Sequence, residues 1–92
     1  KTDEVYVTGK VASPGILPLR KEEEITVYTA VLRVGGFDRF ANLKKAYVLR
    51  DEGDGVKVRM GVNLKNVEKG KGADLVLQSG DIVVVPEKFF SF

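Results

Sequence analysis

Four consecutive apolar residues, Ile82-Val83-Val84-Val85, stand between a turn sequence, Gln78-Ser79-Gly80-Asp81, and Pro86. A run this short, this rich in β-branched side chains and bounded by turn residues reads as a strand. With no polar residue on either face, it is expected to be a central strand covered on both sides. Gly80 and Asp81 turn the chain into it, and Pro86, which has no N–H to give a ladder, ends it. The rest of the chain must therefore supply flanking strands and a covering layer.

The flanking strands are legible at the other end. Val5, Val7 and Val11 alternate with Tyr6, Thr8 and Lys10, the period of a strand with one buried face, and Gly9 marks a bulge or a close backbone neighbour. Ser13-Pro14-Gly15-Ile16 reads as a type II turn, with Pro14 setting φ at its second position and Gly15 accepting positive φ at its third. A second strand, residues 16–20, then folds back antiparallel, and Pro18 assigns it to an edge.

The covering layer follows. Thr26 is a helix N-cap, and Val27, Ala30, Val31 and Val34 fall on one face of a helix of about two turns, or roughly 12 Å. Arg33 suits its C-terminal dipole, and Gly35-Gly36 supplies a left-handed stop. Residues 37–46 read as a loop with one short turn. Residues 47–50 form a third strand, 51–55 a turn, and Val56, Val58 and Met60 mark a fourth strand. A polar connector with a flexible Gly70-Lys71-Gly72 and a brief strand over 75–77 complete the series. The order gives an α+β fold of the β-grasp type: a mixed sheet of about five strands, its last strand beside its first, with one short helix on one face.

Composition narrows the chemistry. The 92 residues make one domain's worth of chain, and 43% hydrophobic with 30% charged residues is ordinary for a globular protein. The chain has no Cys and no His, which removes disulfides, thiolate nucleophiles, Cys/His metal sites and the commonest general base. A net charge of +2, with Lys and Arg interleaved with acids as in Arg20-Lys21-Glu22-Glu23-Glu24, does not make the basic stripe that nucleic acid requires. No stretch approaches the roughly 20 apolar residues of a membrane helix. The abrupt opening, straight into a strand, is that of a fragment of a longer protein.

Several strings in this order resemble one family. Val5-Tyr6-Val7-Thr8-Gly9-Lys10-Val11 followed by Ser13-Pro14-Gly15 resembles the opening of an SLBB (soluble-ligand-binding β-grasp) domain. The helix ending in Gly35-Gly36-Phe37, the segment from Asn42 to Arg50, and Leu77 to Pro86 resemble its later signatures, with Val34 standing where the family often has Ala. The resemblance spans essentially the whole chain. It implies a place in bacterial polysaccharide export proteins, which assemble into rings through which capsule or exopolysaccharide leaves the cell. It further implies a cell-envelope location on the periplasmic side of the outer membrane, self-association within a ring-forming parent, and polysaccharide as a partner. It implies no catalytic residue and no cofactor.

The internal Gly35-Gly36 caps a helix and does not resemble the C-terminal pair of a ubiquitin-like carrier. Gly53-Asp54-Gly55 and Gly70-Lys71-Gly72 lack the spacing of a phosphate loop, and Asp51, Glu52 and Asp54 lack that of an EF-hand. Glu22-Glu23-Glu24 lies on one loop, whereas a glycosidase needs carboxylates across a cleft. No nucleophile–base pair emerges, so a non-enzymatic domain is expected. The interaction candidates are Phe37, Arg39 and Phe40, residue types favoured at interfaces and able to stack on sugar rings, against the alternative that both rings cap the core. The three phenylalanines of Phe89-Phe90-Ser91-Phe92 are expected to pack on this domain or on the rest of the parent. The expected assignment is an interaction domain of a polysaccharide export assembly; the alternative is a glycan- or small-ligand-binding domain.

Overall fold

The computed structural model describes residues 3–89. Five strands form one mixed sheet: β1 (Glu4–Gly9), β2 (Gly15–Pro18), β3 (Tyr47–Asp51), β4 (Lys57–Gly61) and β5 (Ile82–Val85). Their spatial order is β2-β1-β5-β3-β4, with β5 parallel to β1 and antiparallel to β3. The last strand is thus central and beside the first, as its apolar run requires.

Two short helices cover one face, α1 (Val27–Arg33) and α2 (Leu64–Glu68). Thr26 caps α1, its hydroxyl accepting from Thr29 N–H, and the chain leaves the helix as Gly36 N–H donates to Val31 O at 3.0 Å. Val5, Val7, Val48, Val83 and Val85 of the sheet are all fully buried against Val27, Ala30 and Val31 of α1 and Leu64 of α2. Each valine removed from water in this way contributes about 1.5–3 kcal/mol.

Four expectations change. The central strand is not covered on both faces: Val83 and Val85 are buried, while Ile82 and Val84 are half-buried on a face that carries no second layer. The connector after Val62 contains α2, whose N-cap Asn63 accepts from Asn66 N–H at 3.0 Å. Residues 75–77 are not a strand; Val27 N–H donates to Leu75 O and Leu77 N–H to Ile25 O, so the segment straps the chain entering α1 through one bridge, Thr26 to Val76. Finally, Gly15 does not take the positive φ of a type II turn. It is already in the ladder opposite Val7, and the link between β1 and β2 instead leans on the end of α1, where Ala12 N–H donates to Gly36 O and Ser13 N–H to Val34 O.

The signature Gly80-Asp81 has a role beyond turning the chain. Asp81 is the buried charged residue of the core, 1% exposed, and Arg50 at the end of β3 grips it with two bonds, Nε to Oδ1 at 3.0 Å and Nη2 to Oδ2 at 2.8 Å. Gln78 N–H donates to the same Oδ2 at 2.8 Å, and Arg50 Nη2 also donates to Val76 O. The hydrogen bond to Asp81 raises the Arg50 pKa, so the guanidinium is held charged. The fork ties β3, the 76–78 strap and the start of β5 together.

Candidate functional site

The loop of residues 37–42 is short of regular structure yet firmly held. Asp38 N–H donates to Lys10 O at 3.1 Å, and Val11 bridges Phe37, which fixes its start to the exit of β1. On its other side, Asn42 N–H donates to Pro86 O at 2.7 Å and Lys88 N–H to Phe40 O at 2.8 Å, which fixes it to the chain leaving β5. Pro86 thus ends β5 and offers its carbonyl as the anchor. A 3-10 turn, Leu43–Lys45, leads on to β3.

Between this loop, α2 and residues 88–89 lies a cleft of about 660 Å³. Phe37 and Leu43 give it apolar surface, and Arg39, Lys44, Lys65 and Lys88 bring four cations to it. Asp38 and Glu68 are its acids, one accepting from Phe40 N–H at 2.8 Å and the other 3.8 Å from Lys65 Nζ. The balance leaves the cleft cationic, and an open cationic cleft focuses field lines on anionic ligands. Its described lining includes no Ser, Thr, Cys or His. The arrangement is suited to holding a ligand through charge and ring contact.

The three interaction candidates do not act alike. Phe37 is half-buried, packs on the core and meets Tyr28 with ring centroids 6.0 Å apart, and it also lines the cleft. Arg39 is exposed at the cleft, with its guanidinium carbon 4.8 Å from the Phe40 ring centre. Phe40 is 40% exposed and stands beside the cleft, outside its lining. Only Phe37 caps the core. Phe89 lines the cleft and is 90% exposed, so it does not pack on this domain; Phe90 and Phe92 lie outside the described residues. Lys44, Lys65 and Lys88 were not legible as site residues because they sit on three separate segments and converge only through the fold.

The sheet's uncovered face is the other distinctive surface. Ile16, Tyr6, Ile82, Leu49 and Arg59 form one row across all five strands. Arg59 lies over the Tyr47 ring, 3.8 Å from its centre, and Ile16 is 57% exposed. Among the described residues no helix is long and apolar enough to cross a membrane.

Comparison with protein families gives one finding. A family model described as SLBB domain matches residues 3–85. Comparison with curated proteins gives no match.

Proposed function

Because the chain belongs to the SLBB domain family, a family of binding domains, we propose that it acts without catalysis as a recognition and contact module of a polysaccharide export assembly. In this reading it is part of a longer envelope protein, works on the periplasmic side of the outer membrane, and handles capsule or exopolysaccharide on its way out. The observation that carries the recognition role is the cationic cleft, whose lining brings Arg39, Lys44, Lys65 and Lys88 together with Phe37. Such a site favours an acidic saccharide: the cations meet carboxylates while the ring offers its face or edge to the sugar.

The test is an amide NMR titration of the domain with an acidic capsular oligosaccharide and with a neutral one of equal length. Shifts confined to residues 37–45, 65–68 and 88–89, seen with the acidic sugar and abolished in Arg39→Ala/Lys44→Ala, are the expected result. Equal shifts with both sugars, or none with either, would remove the cleft from the reading.

The uncovered sheet face favours a second role, contact with neighbouring subunits. The face groups Ile16, exposed, with half-buried Leu49, Ile82 and Val84, and apolar residues grouped on an open face mark contact surfaces. Identical domains making repeated heterologous contacts close into a ring. Amide shifts on Ile16, Tyr6 and Leu49 that grow with protein concentration alone are expected. A domain monomeric throughout, within a parent that is also monomeric, would exclude the ring.

A further inference from the structure

The two edges of the sheet differ in what their backbones offer. In β2, Leu19 N–H donates to Asp3 O at 2.9 Å, and the ladder alternates from there, so Leu17 and Gly15 bond β1 while Ile16 and Pro18 face outward. Pro18 has no N–H, and Pro14, just before the strand, falls at the preceding outward position. The outer edge of β2 therefore presents one strand donor, that of Ile16. Proline at such positions is a common guard against edge pairing.

The β4 edge is open. Glu52 N–H donates to Val56 O at 3.1 Å and Val62 N–H to Ala46 O at 2.8 Å, so by the same alternation Val58 and Met60 bond β3. Lys57, Arg59 and Gly61 then turn their N–H and C=O groups outward, and β4 contains no proline. The two faces of this edge are chemically distinct. Lys57 and Arg59 lie on the uncovered face, the first 3.8 Å from Asp51 and the second over Tyr47. Val58, 38% exposed, and Met60 lie on the other, with Val56 beyond them at 60%.

We infer that β4 is a docking edge for an extended segment of a partner protein that alternates acidic and apolar residues, added to the sheet as a sixth strand. An antiparallel strand bonding Lys57, Arg59 and Gly61 places its own bonded residues directly opposite them on the same face. Acids at those positions meet the two cations, and the intervening residues meet Val58 and Met60. The Lys57–Asp51 contact is long and exposed, so it does not compete strongly. A second copy fits poorly. Two β4 strands paired about Arg59 would set like charges face to face, and β2 of a neighbour can return a single donor. The same cations thus turn away another β4 and select an acidic strand. This edge is separate from the cleft and independent of its ligand.

The experiment uses the whole domain, isotope-labelled, titrated with a short peptide alternating glutamate and valine and with its lysine–valine counterpart. Shifts centred on residues 57–61, and slowed exchange of the Lys57, Arg59 and Gly61 amides, are expected with the acidic peptide. The basic peptide should bind weaker by about tenfold or more, since two favourable cross-strand pairs become repulsive. The Lys57→Glu/Arg59→Glu variant should reverse the preference. Equal binding of both peptides, protection that grows with protein concentration and no peptide, or an unreversed preference in the variant would each overturn the assignment.

Discussion

The Arg50–Asp81 fork shows how one pair of charges becomes structural. Asp81 is 1% exposed and its partner's side chain 15%, so neither ion keeps much water. Arg50→Ala would leave a buried carboxylate held only by the Gln78 N–H, and breaking such a pair from one side costs about 3–5 kcal/mol. Arg50→Met/Asp81→Leu, which removes both charges, should recover a large part of that loss in urea denaturation; if it does not, the carboxylate's remaining bond matters more than its charge. Sequence alone marked Asp81 as a turn residue and Arg50 as the end of a strand, because their pairing spans 31 positions and no local pattern connects them. Gly9 and Gly36 make a second contrast. Both have positive φ, +93° and +95°. A Cβ on Gly9 would stand 2.1 Å from Val85 O, where β5 crosses close, whereas one on Gly36 meets nothing within 4 Å. Gly36→Ala should therefore cost the backbone strain alone, about 1–2 kcal/mol. Gly9→Ala adds a collision with the central strand and should cost more than about 2 kcal/mol. Equal melting temperatures for the two variants would contradict the close approach.

At the scale of elements, the strands and α1 were legible because each repeats one pattern over several residues, and α2 was not. Leu64 and Val67 are its only apolar residues beside one lysine, one asparagine and one glutamate, too few to show a period, and Gly70-Lys71-Gly72 reads as a flexible spot. The cap at Asn63 was the available signal. Leu64 is nonetheless fully buried, so Leu64→Ala should destabilise by about 2–5 kcal/mol, as for a core site and unlike a connector. A loss below about 1 kcal/mol in chemical denaturation would return the segment to the periphery. The half-burial of Ile82 and Val84 was equally hidden, since an apolar run states what a strand can bury and not what arrives to cover it. Ends of elements also carry the pH response. The Arg33 guanidinium, 2.6 Å from Glu23, holds that carboxyl below its ordinary range, and the Gly53 N–H does the same for Asp51 at the β3–β4 turn. Both folded values lie below the unfolded ones, so the stability they contribute is present above about pH 4 and is lost as pH falls through the folded values. Asp51 is exposed and Glu23 only half-buried, so the effect is small. The acid limb of a plot of melting temperature against pH should flatten in Glu23→Gln/Asp51→Asn; an unchanged slope would assign the acid response to other carboxylates.

For the whole molecule, the order β2-β1-β5-β3-β4 makes the last strand the joint of the sheet. β1 and β2 are a local pair, as are β3 and β4, and each can form with little loop to close. Only β5 connects them, pairing Tyr6 with Ile82 on one side and Leu49 with the same Ile82 on the other. The first of these contacts closes nearly the whole chain, and contacts so distant in sequence slow folding. The two local pairs with α1 should therefore form early, and β5 should dock at or after the barrier. On that view Val83→Ala, fully buried at the joint, mainly speeds unfolding, whereas a core change within the β3–β4 pair such as Val48→Ala mainly slows folding. Stopped-flow kinetics in urea separate the two limbs. If Val83→Ala instead slows folding by the whole of its stability loss, β5 is already in place at the barrier and the sheet assembles from its centre outward. The same dependence predicts that amides bonded across the joint, Tyr6 N–H to Asp81 O and Lys10 N–H to Val85 O among them, exchange together, because undocking β5 releases them at once.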